Sequence, residues 1–139
     1  MFIKKIKYTD FLGTEREETF YFNLSKPELI KMNMLKDGRM GNILEEMVNA
    51  KNSKEMWSKF EDLVLGSYGE LSQDGKRLEK RGGSLAIAFT ETPAYDALID
   101  WFLEDQKNVE AFVNGVIPTE LRGDKQIKQD NKPELSVVK

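Results

Sequence analysis

The stretch from Thr92 to Pro118, TPAYDALIDWFLEDQKNVEAFVNGVIP, contains two amphipathic segments separated by a polar break at residues 105–107. Thr92 is a suitable N-cap, and Pro93 needs no amide donor at the first helical position. The pattern predicts a helical hairpin that stops near Gly115 and Pro118, and its two apolar faces need cover from other segments or from a partner. The apolar positions at helical spacing are Tyr95, Leu98, Ile99, Phe102 and Leu103, followed by Val109, Phe112 and Val113.

Residues 2–24 predict a β-hairpin. Residues 2–9 and 16–24 alternate apolar and polar side chains, which is typical of half-buried strands. Gly13 lies between them and can adopt the positive φ of a tight turn. A two-stranded hairpin is marginally stable alone, so its apolar face should pack on helices or its edges should pair with another subunit. The residues predicted to mediate such self-association are Phe20, Tyr21 and Phe22.

Two short helices are predicted after the hairpin. The sequence from Ser25 to Glu28 has the form of a capping box, and the apolar residues that follow extend to Leu35. Asp37-Gly38 should end this first helix. Asn42 can cap a second short helix over residues 43–48.

The middle of the chain predicts a clearer helix, a glycine-rich region and a short apolar segment. Asn52 or Ser53 can cap an amphipathic helix that runs through Val64. Residues 66–83 predict a loop or a small hairpin with an Asp74-Gly75 turn. Residues 84–91 fit a strand or a short helix, and their alanine content favours the helix.

These elements together predict a fold that is mainly α with an N-terminal β-hairpin, an α+β class in the form of a small single-domain helical bundle. A chain of 139 residues with 40% hydrophobic content is sufficient for one modest core. The predicted globular domain spans residues 1–121, with the hairpin over 2–24 and helices over 26–118. Residues 122–139 contain no aromatic residue, so we expect a flexible polar tail there.

The residue content excludes most enzyme mechanisms. With no cysteine and no histidine, the chain can build no thiolate nucleophile, Cys-ligated metal site, Ser-His-Asp triad or HExxH zinc site. Asp96, Asp100 and Glu104 lie four residues apart on one predicted helix, which would allow a Mg²⁺ site, but such a row is far more often a solvated helix face. We therefore expect no enzymatic activity, no metal and no cofactor.

The charge pattern argues against nucleic acid and membrane partners. The formal net charge is −3, and the basic residues are interleaved with other types rather than forming a stripe. No apolar run approaches the length of a membrane span, and the N-terminus MFIKKIKYTD does not have the form of a signal peptide.

Aromatic and methionine residues on the predicted helices are candidates for a partner-binding surface. Trp101 falls off the face of Leu98 and Phe102 by the helical period, whereas most helical aromatics belong to a core. Two alternatives stay open for Trp101: it contributes to an interface with a partner helix or subunit, or it covers the hairpin or the 66–83 region. The predicted partner-binding residues are Met56, Trp57, Phe60, Trp101 and Phe102.

Three stretches of the chain carry a resemblance to a known family. They are KKIKYTDFLGTEREETFYFNLSKPEL, FEDLVLGSYGELSQDGKR and AFTETPAYDALIDWFLEDQKNVEAFVNGVIP. In order and spacing they resemble the tail assembly chaperones of long-tailed phages that infect Gram-positive bacteria. The likeness extends from Lys4 to the region of Pro118, and it contains structural signatures rather than a catalytic motif.

The resemblance implies a non-enzymatic assembly factor that acts in the host cytoplasm and is not expected in the mature virion. Such a protein binds the tape measure protein before assembly and helps to recruit subunits of the tail tube protein. We expect it to be a homo-oligomer. The alternative is a structural minor virion protein of the phage tail or the head-tail connector, which would stay in the particle.

Overall fold

The computed structural model describes residues 1–36, 39–40, 53–118 and 121. The predicted short helix over 43–48 and the predicted tail over 122–139 lie outside these residues. None of the described helices is long and apolar enough to cross a membrane. In chain order, the described elements are β1 (Phe2–Thr9), β2 (Glu15–Phe22), α1 (Lys26–Lys31), β3 (Leu35–Lys36), β4 (Arg39–Met40), α2 (Ser53–Ser67), β5 (Tyr68–Leu71), β6 (Leu78–Glu79), a 3₁₀ turn (Arg81–Gly83), α3 (Ser84–Thr90), α4 (Pro93–Glu104) and α5 (Gln106–Val116).

Strands β1 and β2 form the predicted N-terminal hairpin. They pair antiparallel over their full length, from Phe2 opposite Phe22 to Thr9 opposite Glu15. Gly13 adopts a φ of 87° in the turn between them, as predicted. Exposed side chains alternate with half-buried or buried ones along β1, because successive residues of a strand point to opposite faces of the sheet. The hairpin therefore has an inner face against the core and an outer face towards solvent.

A second hairpin, formed by β5 and β6, extends the first into an antiparallel sheet of order β1-β2-β5-β6. The region 66–83 is thus the small hairpin that the sequence allowed as an alternative to a loop. Its pairing with β2, through Tyr68 and Gly69, was not predicted. Gly69 permits a close approach of the strands, since an added Cβ would lie 2.7 Å from Leu78 Cγ and 2.9 Å from the Glu79 carbonyl oxygen.

Helix α1 begins with the predicted capping box and ends earlier than the apolar pattern indicates. Ser25 Oγ accepts a hydrogen bond from Glu28 N at 3.3 Å, and Glu28 Oε1 accepts one from Ser25 N at 2.9 Å. The predicted extension to Leu35 is wrong, because the helix ends at Lys31 and Asn33 adopts a left-handed φ of 58°. Leu35 belongs instead to β3, which pairs with β4.

The other described helices confirm the predicted segments. Helix α2 begins at Ser53, and α3 shows that most of the 84–91 segment is helical rather than extended. Helices α4 and α5 form the predicted pair. Asp105 caps α5, because its side chain accepts a hydrogen bond from Lys107 N at 2.9 Å.

Helix α5 ends at Val116, between Gly115 and Pro118, where the sequence predicts its end. Gly115 itself lies within the helix and has a packing role there. A Cβ added at Gly115 would lie 3.0 Å from Phe2 Cβ and 3.0 Å from Phe2 Cδ1. The missing side chain therefore lets α5 approach the start of β1 closely.

The core lies between the inner face of the sheet and the helices, with Phe112 of α5 at its centre. Phe112 is fully buried. Its ring centroid lies between 5.2 and 5.9 Å from the centroids of four other phenylalanine rings. These neighbours come from β1, β2, α2 and α4, and they are Phe2, Phe22, Phe60 and Phe102.

The α+β class is confirmed, and the description as a helical bundle is confirmed only in part. In a bundle, helices bury their apolar faces against one another. Here α4 and α5 also cover the sheet, as the contacts of Phe2 with Trp101 and Phe112 show. Helix α3 contacts the sheet too, because Phe89 stacks on Tyr68 of β5 at 4.3 Å.

Lys80 joins four segments of the fold through its ammonium group. Its Nζ atom donates hydrogen bonds to the Asn23 carbonyl oxygen at 3.0 Å, the Gly66 carbonyl oxygen at 2.8 Å and Glu28 Oε2 at 2.8 Å. The three donors of the ammonium are therefore all used. Glu28 is also the third helical residue of the α1 capping box. The Lys80 contacts therefore link the end of β2, the start of α1, the last turn of α2 and the segment after β6.

Lys80→Met should lower the free energy of unfolding by about 2 kcal/mol, because it leaves two carbonyl oxygens and a carboxylate without their donor. Urea denaturation followed by circular dichroism measures this loss. Lys76→Met is the matched control, since Lys76 is exposed, and its effect should stay below about 0.5 kcal/mol. Equal losses in the two variants would contradict the structural role of Lys80.

Glu28 should make the stability of the fold sensitive to acid. Partial burial acts to raise the pKa of Glu28, but hydrogen bonds from Lys80 and Ser25 outweigh it and hold the pKa below its ordinary value of 4.5. A carboxylate whose pKa is lowered in the folded state stabilises the fold at pH values above the pKa that it has in the unfolded chain. This contribution is lost as the pH falls through the pKa of the folded state.

The stability difference between the wild type and Glu28→Gln should therefore be constant near neutral pH and shrink as the pH falls below 4.5. Urea denaturation of both proteins across this range measures it. A difference that does not depend on pH would show that the charge of Glu28 does not contribute.

Candidate partner-binding surface

Four of the five predicted partner-binding residues form a continuous row of rings across α2 and α4. The ring centroids are 6.0 Å apart for Trp57 and Phe60, 4.8 Å for Phe60 and Phe102, and 5.4 Å for Phe102 and Trp101. Phe60 and Phe102 are buried, whereas both tryptophans are half-buried. The structure thus brings the predicted residues together, with the phenylalanines in the core and the tryptophans at its margin.

One exposed apolar side chain adjoins this row. Met56 precedes Trp57 on α2 and is 41% exposed. Leu103 on α4 is 75% exposed, but it follows Trp101 by two residues and therefore lies on nearly the opposite side of the helix. We define the α2–α4 surface as Met56, Trp57 and Trp101. Phe60 and Phe102 are buried and are not accessible to a partner in this fold. The prediction that they bind a partner directly is therefore corrected: they support the tryptophans from the core. The binding role of the surface stays a prediction.

The neighbours of Trp101 explain why it departs from the apolar face of α4. Its ring lies 5.9 Å from the ring of Phe2, and the Nζ atom of Lys4 lies 4.1 Å from its ring centroid. The indole therefore covers the first strand of the hairpin and makes a cation–π contact there. This is the second of the two alternatives that the sequence left open, although the ring remains partly exposed.

The three residues predicted for self-association lie on two different faces of the hairpin. Phe22 is fully buried, and Phe20 is half-buried on the same inner face, with its ring 5.2 Å from Phe89. Neither side chain is presented to a second subunit, because both pack in the core. Tyr21 alternates with them and lies on the outer face opposite Ile3, which is 54% exposed.

The tip of the hairpin exposes two apolar side chains that were not among the predicted site residues. Phe11 is 83% exposed and Leu12 is 91% exposed. Asp10 fixes the turn, because its carboxylate accepts bonds from Leu12 N and Thr14 N, both at 2.9 Å, and from Arg16 Nε at 2.6 Å. The signal in the sequence was a pair of large apolar residues in a turn, where small or polar residues are usual.

Two tyrosines near these surfaces have raised pKa values. Tyr95 donates to Glu61 Oε2 at 2.9 Å, and burial together with this bond raises the pKa of Tyr95 well above its ordinary value. Burial raises the pKa of Tyr68 to about 12. Both phenols are therefore protonated near neutral pH. Asp96 and Asp100 are exposed on α4, and no acidic cluster able to hold a metal ion occurs within the described ranges.

A comparison with protein-family profiles identifies the family of this chain. The profile described as phage tail assembly chaperone matches residues 1–139. The chain belongs to this family. No curated protein and no solved structure matches the chain. The family that the three sequence stretches indicated is therefore confirmed, and the match to the tail assembly chaperones extends over the whole chain.

In this tail assembly chaperone, Trp101→Ala should lower the free energy of unfolding by about 2 kcal/mol, because it removes ring contacts with Phe2 and Phe102 and the cation–π contact with Lys4. Leu103→Ser should change it by less than about 0.5 kcal/mol, since that side chain is exposed. Urea denaturation of both variants tests the distinction. A large loss for Leu103→Ser would show that the residue belongs to the core.

Proposed function

We propose that this tail assembly chaperone binds the tape measure protein through the α2–α4 surface and helps to recruit tail tube subunits during tail assembly. The observation that carries the proposal is that a member of this family presents exposed apolar side chains above a support of buried rings. Apolar residues with this degree of exposure favour a binding partner, because water is a poor solvent for them.

The chemistry of the α2–α4 surface fits the apolar face of an amphipathic helix. Met56 supplies a flexible thioether side chain, and the two tryptophans supply large rigid contact areas. The contact between Phe60 and Phe102 holds both helices beneath the tryptophans, so binding would immobilise few additional side chains. The family resemblance also implies that the tape measure protein is a long helical protein. Successive chaperone copies would cover the apolar face of this helix.

The chaperone acts by binding alone, without catalysis, in the cytoplasm of the host cell. Several copies bound along one tape measure chain would form a homo-oligomeric coat from which tube subunits are recruited. The coat is displaced as the tube assembles, so the chaperone is absent from the mature virion.

Co-expression with the tape measure protein of the same genome should yield a soluble complex with many chaperone copies per tape measure chain. Size-exclusion chromatography with light scattering measures its stoichiometry. The variant Met56→Asp should lose the complex while keeping its circular dichroism spectrum, because Met56 is exposed and a charge there disfavours an apolar contact. Ile87→Asp is the matched control, since Ile87 is exposed on α3, outside the α2–α4 surface.

Four outcomes would contradict different parts of the proposal, three in this experiment and one in a separate analysis of virions. An insoluble tape measure protein beside a chaperone that elutes alone would contradict tape measure binding. A complex that survives Met56→Asp, or is lost equally in Ile87→Asp, would contradict the use of the α2–α4 surface. Stoichiometric amounts of the chain in purified virions, measured by mass spectrometry, would favour the alternative of a structural virion protein.

A further inference from the structure

The outer face of the β1–β2 hairpin is exposed along β1 and along most of β2, with Tyr21 half-buried at its base. In β1 the outward side chains are exposed while their neighbours are half-buried or buried. The strand register places Ile3 beside Tyr21 at the base of this face and Lys7 beside Glu17 nearer the tip. Neither Lys7 nor Glu17 makes an ion pair with any described residue at the distance expected for one.

The hairpin therefore carries an apolar pair at each end and opposite charges between them. The base has Ile3 and Tyr21, and the tip has Phe11 and Leu12, which are among the most exposed large apolar residues of the described chain. On the outer face the positive charges, Lys5 and Lys7, belong to β1, and the negative charges, Glu15 and Glu17, belong to β2. If β1 of one copy faces β2 of a second copy, the strand with positive charges therefore meets the strand with negative charges, and each apolar pair meets an apolar pair.

We propose that two copies of the chain associate through the outer faces of their β1–β2 hairpins, around a two-fold axis that runs along the strands. This axis places β1 of one copy over β2 of the other with both tips at the same end. Ile3 then faces Tyr21 of the second copy, Lys7 faces Glu17 of the second copy, and the two Phe11-Leu12 tips adjoin. Each contact occurs twice, because the interface is symmetric.

The charge pattern selects this orientation over the other two-fold arrangement of the same faces. An axis across the strands would place β1 over β1 and β2 over β2. Lysines would then face lysines and glutamates would face glutamates, which is unfavourable for like charges at close range. Face-to-face sheets normally align within a modest angle, and the proposed arrangement keeps the strands in that range.

Hydrogen bonds fix the conformation of the hairpin tip before any contact forms. The carboxylate of Asp10 holds the turn through bonds to Leu12 N, Thr14 N and Arg16 Nε, so little freedom is lost when the tip is buried. The face of one hairpin is small compared with a standard interface, so the dimer should be weak and reversible. It should also weaken at high salt, because exposed ion pairs are screened.

Charge reversal tests this dimer in the full-length chain. Sedimentation equilibrium at about 100 μM, a concentration suited to a small interface, should find the wild type dimeric and both Lys7→Glu and Glu17→Lys monomeric. An equimolar mixture of the two variants should regain the dimer as a mixed species, since each altered side chain then faces an opposite charge. Native mass spectrometry identifies that species.

Two further variants test whether loss of the dimer is specific to the hairpin or follows from any substitution on the surface. The double variant Phe11→Ser, Leu12→Ser should be monomeric with an unchanged circular dichroism spectrum, because both side chains are exposed. Glu104→Lys reverses an exposed charge on α4 and should remain dimeric. A monomeric wild type, dimeric single variants, or a mixture that stays monomeric would each overturn the interface.

This inference concerns direct contact between two copies of the chain, and it does not depend on tape measure binding. A monomeric wild type that still keeps the tape measure protein soluble would overturn the dimer and leave the binding proposal in place. A dimer with the expected charge dependence that fails to keep the tape measure protein soluble would support the interface and contradict the binding proposal.

Discussion

The contact between Phe22 and Phe112 joins the sheet to the helices, and the rest of the fold is arranged around it. Both side chains are fully buried, and their ring centroids are 5.4 Å apart in an edge-on geometry. The pair can be buried only if β2 presents Phe22 on its inner face and α5 lies across it. That requirement decides which face of the hairpin is covered and which face, with Tyr21, is left for solvent or a second copy.

The same aromatic core shapes the proposed binding surface. Phe60 and Phe102 fill the space beside Phe112, so the larger indoles of Trp57 and Trp101 lie at the margin, where one part of each ring packs and another part stays exposed. The α2–α4 surface is therefore rigid because it is continuous with the core. The helices lie on the inner face of the sheet and the proposed dimer uses the outer face, so the two proposed contacts do not compete for the same side chains.

Local features of the fold were readable from the sequence because they depend on residues a few positions apart. The capping box at Ser25, the left-handed Gly13 and the helical spacing through α2, α4 and α5 each follow from backbone rules that act within one or two turns. Helical spacing likewise predicted the five partner-binding residues Met56, Trp57, Phe60, Trp101 and Phe102. That spacing identifies apolar helical residues, but it does not show which of them another segment covers.

The sequence by itself determined the α+β class, most helix boundaries, the N-terminal hairpin and the family. Only the tertiary structure decided that β5 pairs with β2, that Gly115 accommodates Phe2, that Lys80 reaches Glu28, and that Trp101 rather than Phe102 stays partly exposed. These features join residues far apart in the chain, so no local spacing encodes them. The packing of the whole core selects them, because each depends on which surfaces are left once Phe22 and Phe112 are buried.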